Sequence, residues 1–207
     1  FMQADRPPSL YCPDEILDAA LRVCAQVAES LYRFDVPEPT LSPALAESWT
    51  TAADGRTVDV VLRDGLKFSD GHSLTTDDVD FTMKAIYDER TKSPIFRDAM
   101  MVNGKMIETR PIDARRIQFV FPERVGSVEN YLENLVVLPK HVLGDAFTQG
   151  KLAESLKIDS DPKSVVTSGP FIVDSVQTGE RITLKRNPNY WKKDSAGTQL
   201  PYLDTLV

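Results

Sequence analysis

The residues best suited to chemistry gather in one stretch, "LRDGLKFSDGHSLTTDDVDFTMKAI", residues 62–86. Asp64, Asp70, His72, Asp77 and Asp78 lie close together there, a composition that could hold a divalent metal or supply an acid and a base. Metal sites of this kind pair their ligands at helical or hairpin spacing. The chain has only two histidines, His72 and His141, and no HxH, HExxH or CxxC. Turn and capping chemistry accounts for the carboxylates more simply. Asp64 and Asp70 precede Gly65 and Gly71 as turn residues do. Asp77 and Asp78 follow Thr75 and Thr76 in the first turn of a helix, where they complement its dipole. No metal is expected at this cluster.

A hydrolase needs a nucleophile, a base and an orienting group within reach of one another. No GxSxG elbow occurs, neither Cys12 nor Cys24 has a catalytic flank, and Gly169 and Gly179 build no phosphate loop. The residues therefore predict no enzyme and no cofactor. Cys12 and Cys24 could form one disulfide or stand as a loop thiol and a buried helix thiol, and spacing does not decide between these. Trp49 and Trp191 sit beside strand-like segments and are expected as half-buried anchors. Met100 and Met101 follow "SPIFRDA" as core filler, in a loop that could face a cleft.

The elements that must position these residues are mixed. "PDEILDAALRVCAQVAESLYRFD" carries a helix with Leu17, Leu21, Cys24, Ala28 and Leu31 at helical spacing and Asp18 as a cap. "PEPTLSPALAESW", with three prolines, reads as a connection into a strand. "ESWTTAADGRTVDVVLR" reads as a hairpin turning at Asp54-Gly55, with Val58, Val60 and Leu62 alternating against polar neighbours. A helix follows "TTDD" with Val79, Met83 and Ile86 on one face. "GKMIETRPIDARRIQFVF" predicts two strands, "SVENYLENL" and "PKHVLGDAF" short helices, and "FIVDSVQTGERITLKR" a hairpin turning at Thr178-Gly179. The closing "NPNYWKKDSAGTQLPYLDTLV" predicts no further element. Hairpins and helices without βαβ regularity point to an α+β fold.

The 207 residues, 42% hydrophobic and 27% charged, allow one large domain or two modest lobes. A net charge of −7 argues against a general nucleic-acid or anionic-membrane binder. No apolar run approaches the roughly 18 residues that span a bilayer. No basic-then-apolar leader opens the chain, so a leader is expected outside it.

"DRPPSL", "LSPALAESW", "ADGRTVDVVLRDGLKFSDGHSLTTDDVDFTMKAI", "VVLPKHV", "SGPF" and "GERITLKRNPNYW…PYLDTL" follow one another in a recognisable order. Together they resemble the family 5 extracellular solute-binding proteins, which deliver peptides, nickel chelates or related solutes to ABC importers. The resemblance covers nearly the whole chain and is most specific from Leu45 to Val79. It implies the first lobe of a two-lobe periplasmic-binding-protein-like fold (type II, class C-like), with a mixed sheet and an inserted subdomain. Residues 1–34 and 167–207 would form the main subdomain of that lobe and residues 35–166 the insertion. Because family members are more than twice this length, the chain is expected to be a fragment that lacks the second lobe. In that family the 62–79 stretch is a structural signature, in agreement with the turn and cap reading above.

The resemblance further implies capture of a small solute, a peptide by expectation, in a cleft between lobes, without catalysis. The partners would be ABC permease subunits and the protein a monomer, with no nucleic acid. Its place would be periplasmic or extracellular, with a lipoprotein anchor as one form of attachment. The loop after the family's first strand lines the cleft. Matched by position, this gives Tyr11, Cys12, Ile16, Leu17 and Asp18 as contacts, followed by Phe96 and Met100 of "SPIFRDAMM". "SLYCPDE" departs from the family's Leu-Asn-Pro or Leu-Asp-Pro, since Tyr11 and Cys12 stand where the polar residue and proline belong. A sensor or partner-docking protein on the same scaffold, and an enzyme with an unfamiliar site, are the alternatives. A fused signalling segment would mark the first and turnover the second.

Overall fold

Alternation and turn chemistry build most of the strands in this computed structural model, which describes residues 18–35, 40–91, 94–133, 135–155, 161, 164–177 and 180–207. Helix α1 (Asp18–Val27) runs into a small hairpin of β1 (Tyr32–Asp35) and β2 (Thr40–Pro43), paired Tyr32 to Pro43 and Arg33 to Ser42. The proline-punctuated connection thus contains a strand. Pro43 is tolerated because it ends an edge strand, where no ladder donor is required. Leu31 lies past the end of α1 rather than on its face.

Strands β3 (Ala46–Thr51) and β4 (Thr57–Leu62) form the expected hairpin. Helix α2 (Thr76–Tyr87) follows, then α3 (Pro94–Ala99) and a minimal hairpin of β5 (Met101–Val102) and β6 (Lys105–Met106). This hairpin turns at Asn103-Gly104, both at positive φ. Asn-Gly is the strongest short hairpin signal a sequence carries. The two-residue strands are too short to show alternation, and the stretch from Gly104 to Phe121, expected to form two strands, carries three: β6 and the two described next.

Strands β7 (Glu108–Pro111) and β8 (Arg116–Val120) complete a four-stranded antiparallel sheet in the order β3-β4-β8-β7. Asp113 fixes the turn between them. Backbone N–H of Arg115, the Arg116 guanidinium and backbone N–H of Arg116 bind its carboxylate and hold its pKa down to about 2.

Helices α4 (Glu129–Leu132), α5 (Lys140–Thr148) and α6 (Leu152–Ser155) lead to β9 (Phe171–Gln177) and β10 (Arg181–Arg186), which pair antiparallel. Their turn residues, Thr178 and Gly179, lie outside the described residues. A final short strand, β11 (Thr205–Leu206), joins the edge of β10. It is a strand that the sequence reading did not expect, because two residues carry no period. A mixed sheet was also expected. Each pairing among the described strands is antiparallel.

Two apolar cores result among the described residues. The larger lies over the four-stranded sheet and includes Tyr32, Leu45, Val58, Val60, Leu62, Phe68, Ile117, Phe119 and Phe121. The smaller joins Cys24 and Val27 of α1 to Leu138, Leu143, Phe171, Val173 and Leu184. Helix α2 stands between them. Val79, Met83 and Ile86 enter the first core, while Phe81 and Ala85 enter the second. The sequence reading gave α2 one apolar face; it has two, because packing closes on both sides of it. Trp49 and Trp191 are half-buried against the first core. Each large side chain buried here stabilises the fold by about 1.5–3 kcal/mol.

Candidate functional site

The acidic stretch is scaffold, and its geometry shows how. Gly65 and Gly71 adopt positive φ in the two Asp-Gly turns. The Oδ1 atom of Asp70 accepts the His72 backbone N–H at 3.0 Å, and its Oδ2 lies 2.7 Å from Nε2 of His141 on α5. Burial acts to raise the Asp70 carboxyl, but the His141 and His72 hydrogen bonds outweigh it, so the carboxyl titrates below its usual range. The His72 and His141 rings stack 3.9 Å apart and nearly parallel, at 14°. Sixty-nine positions of sequence separate these two histidines, and only the tertiary structure brings them together. Among the described residues, no group of three His, Cys, Asp or Glu could hold a metal ion.

Asp78 binds across a similar distance. Its Oδ2 accepts the Thr75 backbone N–H at 2.9 Å, capping α2, and its Oδ1 accepts the Lys140 backbone N–H at 3.0 Å at the start of α5. Asp77 stays exposed and makes only a 3.4 Å ion pair with Lys140. Ser69 in the same turn donates its N–H to the Thr167 carbonyl and accepts Nδ2–H of Asn189 on its own carbonyl. The 66–74 turn therefore ties α5, the 167 connection and the Asn187–Trp191 segment to the first core.

Of the residues expected to meet a solute, Tyr11, Cys12, Ile16 and Leu17 lie outside the described residues, and Asp18 opens α1. Cys24 is disulfide-bonded, with a partner outside the described residues. Phe96 is half-buried on α3, whereas Met100 is 2% exposed and packs in the first core. The loop therefore uses the Met100 side chain as its anchor and keeps it off the surface. Tyr87 holds this loop in place. Its hydroxyl donates to the Met100 carbonyl at 2.8 Å and accepts the Ile107 N–H at 2.9 Å. Burial pushes this phenol up to about 12, so it remains a donor across physiological pH.

Beside the end of α3 opens a concavity of about 320 Å³ lined by Ala99, Val125, Gly126, Ser127, Asn130 and Tyr131. Glu129 stands behind it, accepting Nε1–H of Trp49 and Oγ–H of Ser127. The sequence reading missed these residues. Their one signal was a Gly-Ser pair before a short helix, which is common to many loops.

One buried titratable pair lies elsewhere. Tyr190 Oη donates to Oε2 of Glu29 at 2.6 Å, and Glu29 is 8% exposed. Burial raises the Glu29 carboxyl above its usual range; the Tyr190 bond and the nearby charges of Arg33 and Lys192 pull it back only in part. A raised native pKa means that the native state binds more protons than the unfolded chain above the ordinary glutamate value. This contribution to stability is complete at low pH and is lost as pH rises through the native pKa. Glu29→Gln should abolish that dependence. Urea midpoints measured from pH 4 to 8 should show the variant gaining on the wild type as pH rises. A constant difference across that range would remove Glu29 as the cause.

With the fold in view, comparison places the chain. It belongs to family 5 of the bacterial extracellular solute-binding proteins, whose middle-region model matches residues 40–207. A probable ABC transporter-binding protein of Deinococcus radiodurans is 34% identical over 186 residues, covering 86% of this chain and 31% of that protein. A periplasmic alpha-galactoside-binding protein of Rhizobium meliloti is 25% identical over 201 residues, 92% of this chain and 28% of that protein. The fold is similar to that of the oligopeptide-binding protein AppA from Bacillus subtilis, solved in complex with a nonapeptide. The TM-score is 0.77 at 25% identity, over 98% of this chain and 37% of that one. The chain spans about a third of the length of these relatives. Among the described residues, no helix is long and apolar enough to cross a membrane.

Proposed function

We propose that this chain supplies the first lobe of an extracytoplasmic solute-binding protein that captures peptides or related small solutes and hands them to an ABC permease, without catalysis. The observation that carries the reading is the family match over residues 40–207. The similarity to a peptide-bound oligopeptide-binding protein supports it. On this reading residues 1–34 and 167–207 form one subdomain and residues 35–166 an insertion. The solute meets the Tyr11–Asp18 loop and the α3 loop around Phe96, and a second lobe outside these 207 residues closes over it. The α-galactoside-binding relative makes sugars the competing solute class.

Calorimetry with a peptide library and an α-galactoside series tests this reading. A cleft binder divides desolvation and hydrogen bonding between its lobes. If the two-lobed protein binds a peptide near 1 μM, about −8 kcal/mol, this chain alone should hold it at roughly millimolar strength or weaker. Tight stoichiometric binding by the chain alone would refute the divided cleft. Binding of galactosides and no peptide would replace the solute class.

A further inference from the structure

We propose that Asp70, His72 and His141 form an acid-operated clasp that holds the first turn of α5 on the 66–74 turn and lets go when both imidazoles carry a proton. The geometry is a carboxylate 2.7 Å from one ring, with the second ring stacked on the first at 3.9 Å and Phe68 5.5 Å from His141 on another side. With no proton or one proton on the pair, the arrangement is favourable: a neutral or singly charged stack beside one carboxylate. A second proton places two like charges in ring contact. Among the described residues, Asp70 is the one carboxylate hydrogen-bonded to either ring, and its single negative charge, which interacts with both His141 and His72, offsets one of the two positive charges.

Among the described residues, the other charged groups around the clasp do not supply a second counter-charge at contact. On α2, Asp77 faces Lys140, Asp80 binds Lys84 and Thr109, and Asp78 is taken up by Thr75 and the Lys140 N–H. On α5, Lys140 adds a positive charge beside His141. Asp145, one turn further on, lines the same groove of about 680 Å³ between α2 and α5. Histidine changes charge between about pH 5 and 8, which is within the range met by a protein outside the cytoplasm. The 66–74 turn also bonds Thr167 and Asn189, so its release from α5 would loosen a junction of several segments.

The test uses this chain, His72→Gln, His141→Gln and the double variant, with urea midpoints at pH 8 and pH 5. The double-mutant cycle should report favourable coupling between the two positions at pH 8 and unfavourable coupling at pH 5. Amide exchange, corrected for its intrinsic pH dependence, gives a readout that needs no variant. In the wild type, the Leu143–Thr148 amides should exchange about fivefold faster relative to those of α2 at pH 5 than at pH 8. Coupling of the same sign and size at both pH values would overturn the proposal. So would α5 and α2 exchange that change together.

Discussion

Gly169→Ala is expected to destabilise the chain by about 3 kcal/mol or more, at or beyond the upper end of what overpacking usually costs. A Cβ at this position would lie 2.4 Å from the Val27 carbonyl carbon and 2.6 Å from both the Val27 oxygen and the Ala28 nitrogen. These are backbone atoms, and no rotamer change can move them aside. The approach is also pinned on every side. Gly169 N–H donates to the Val27 oxygen at 2.9 Å, Ser168 Oγ accepts the Glu29 N–H, and buried Asn187 donates to the Gly169 carbonyl. Relieving the clash would break the seam between the end of α1 and the start of β9. Gly144→Ala is the control. It lies inside α5 with nothing within 4 Å of an added Cβ, and replacing a helical glycine by alanine should stabilise by about 0.5–1 kcal/mol. Urea unfolding of both variants decides the matter. A Gly169→Ala midpoint within error of the wild type would show that this backbone contact can relax.

Asp78→Ala should be the next most costly change, at about 2–4 kcal/mol. Loss of the α2 cap accounts for about 1 kcal/mol, and the Lys140 N–H left without a partner for about 1–3 kcal/mol more. Asp78 is 5% exposed, so water has little room to replace the lost bonds. Next to it, Thr82 is fully buried, with Oγ1 accepting the Leu138 N–H at 2.9 Å and donating to the Asp78 carbonyl at 2.7 Å. The two side chains together fix the segment that leads into α5. Asp77→Ala removes an equal charge from the same helix turn, but its carboxylate is largely exposed, and it should cost no more than about 1 kcal/mol. Thermal melts of the pair, with exchange protection of the α5 amides, separate the two roles. Equal losses from Asp77 and Asp78 would mean that dipole complementarity, and not the tie to α5, sets the effect.

These two aspartates show where sequence and structure divide the work. Local chemistry was legible in the sequence. Asp-Gly turns, a capped α2, the alternation of Val58, Val60 and Leu62, and the order of motifs that marks the family all depend on neighbours a few positions apart. That Asp78 and not Asp77 reaches the Lys140 backbone N–H was not legible, because one residue of helical rotation decides which carboxylate meets the backbone of α5 and which meets only the exposed Lys140 ammonium. Nor was the stack of His72 on His141, or the concavity beside α3 lined by Ser127, Asn130 and Tyr131. Met100 was legible as core filler, and packing turns its side chain inward as the anchor of a loop that the family resemblance had offered to the cleft. Gly169 was read only as no part of a phosphate loop and as part of the "SGPF" motif, although the approach of Val27 allows no side chain there. Short-range patterns determined which elements form. Contacts between residues far apart in the chain, made only once the two cores close on either side of α2, decided what those elements present to one another.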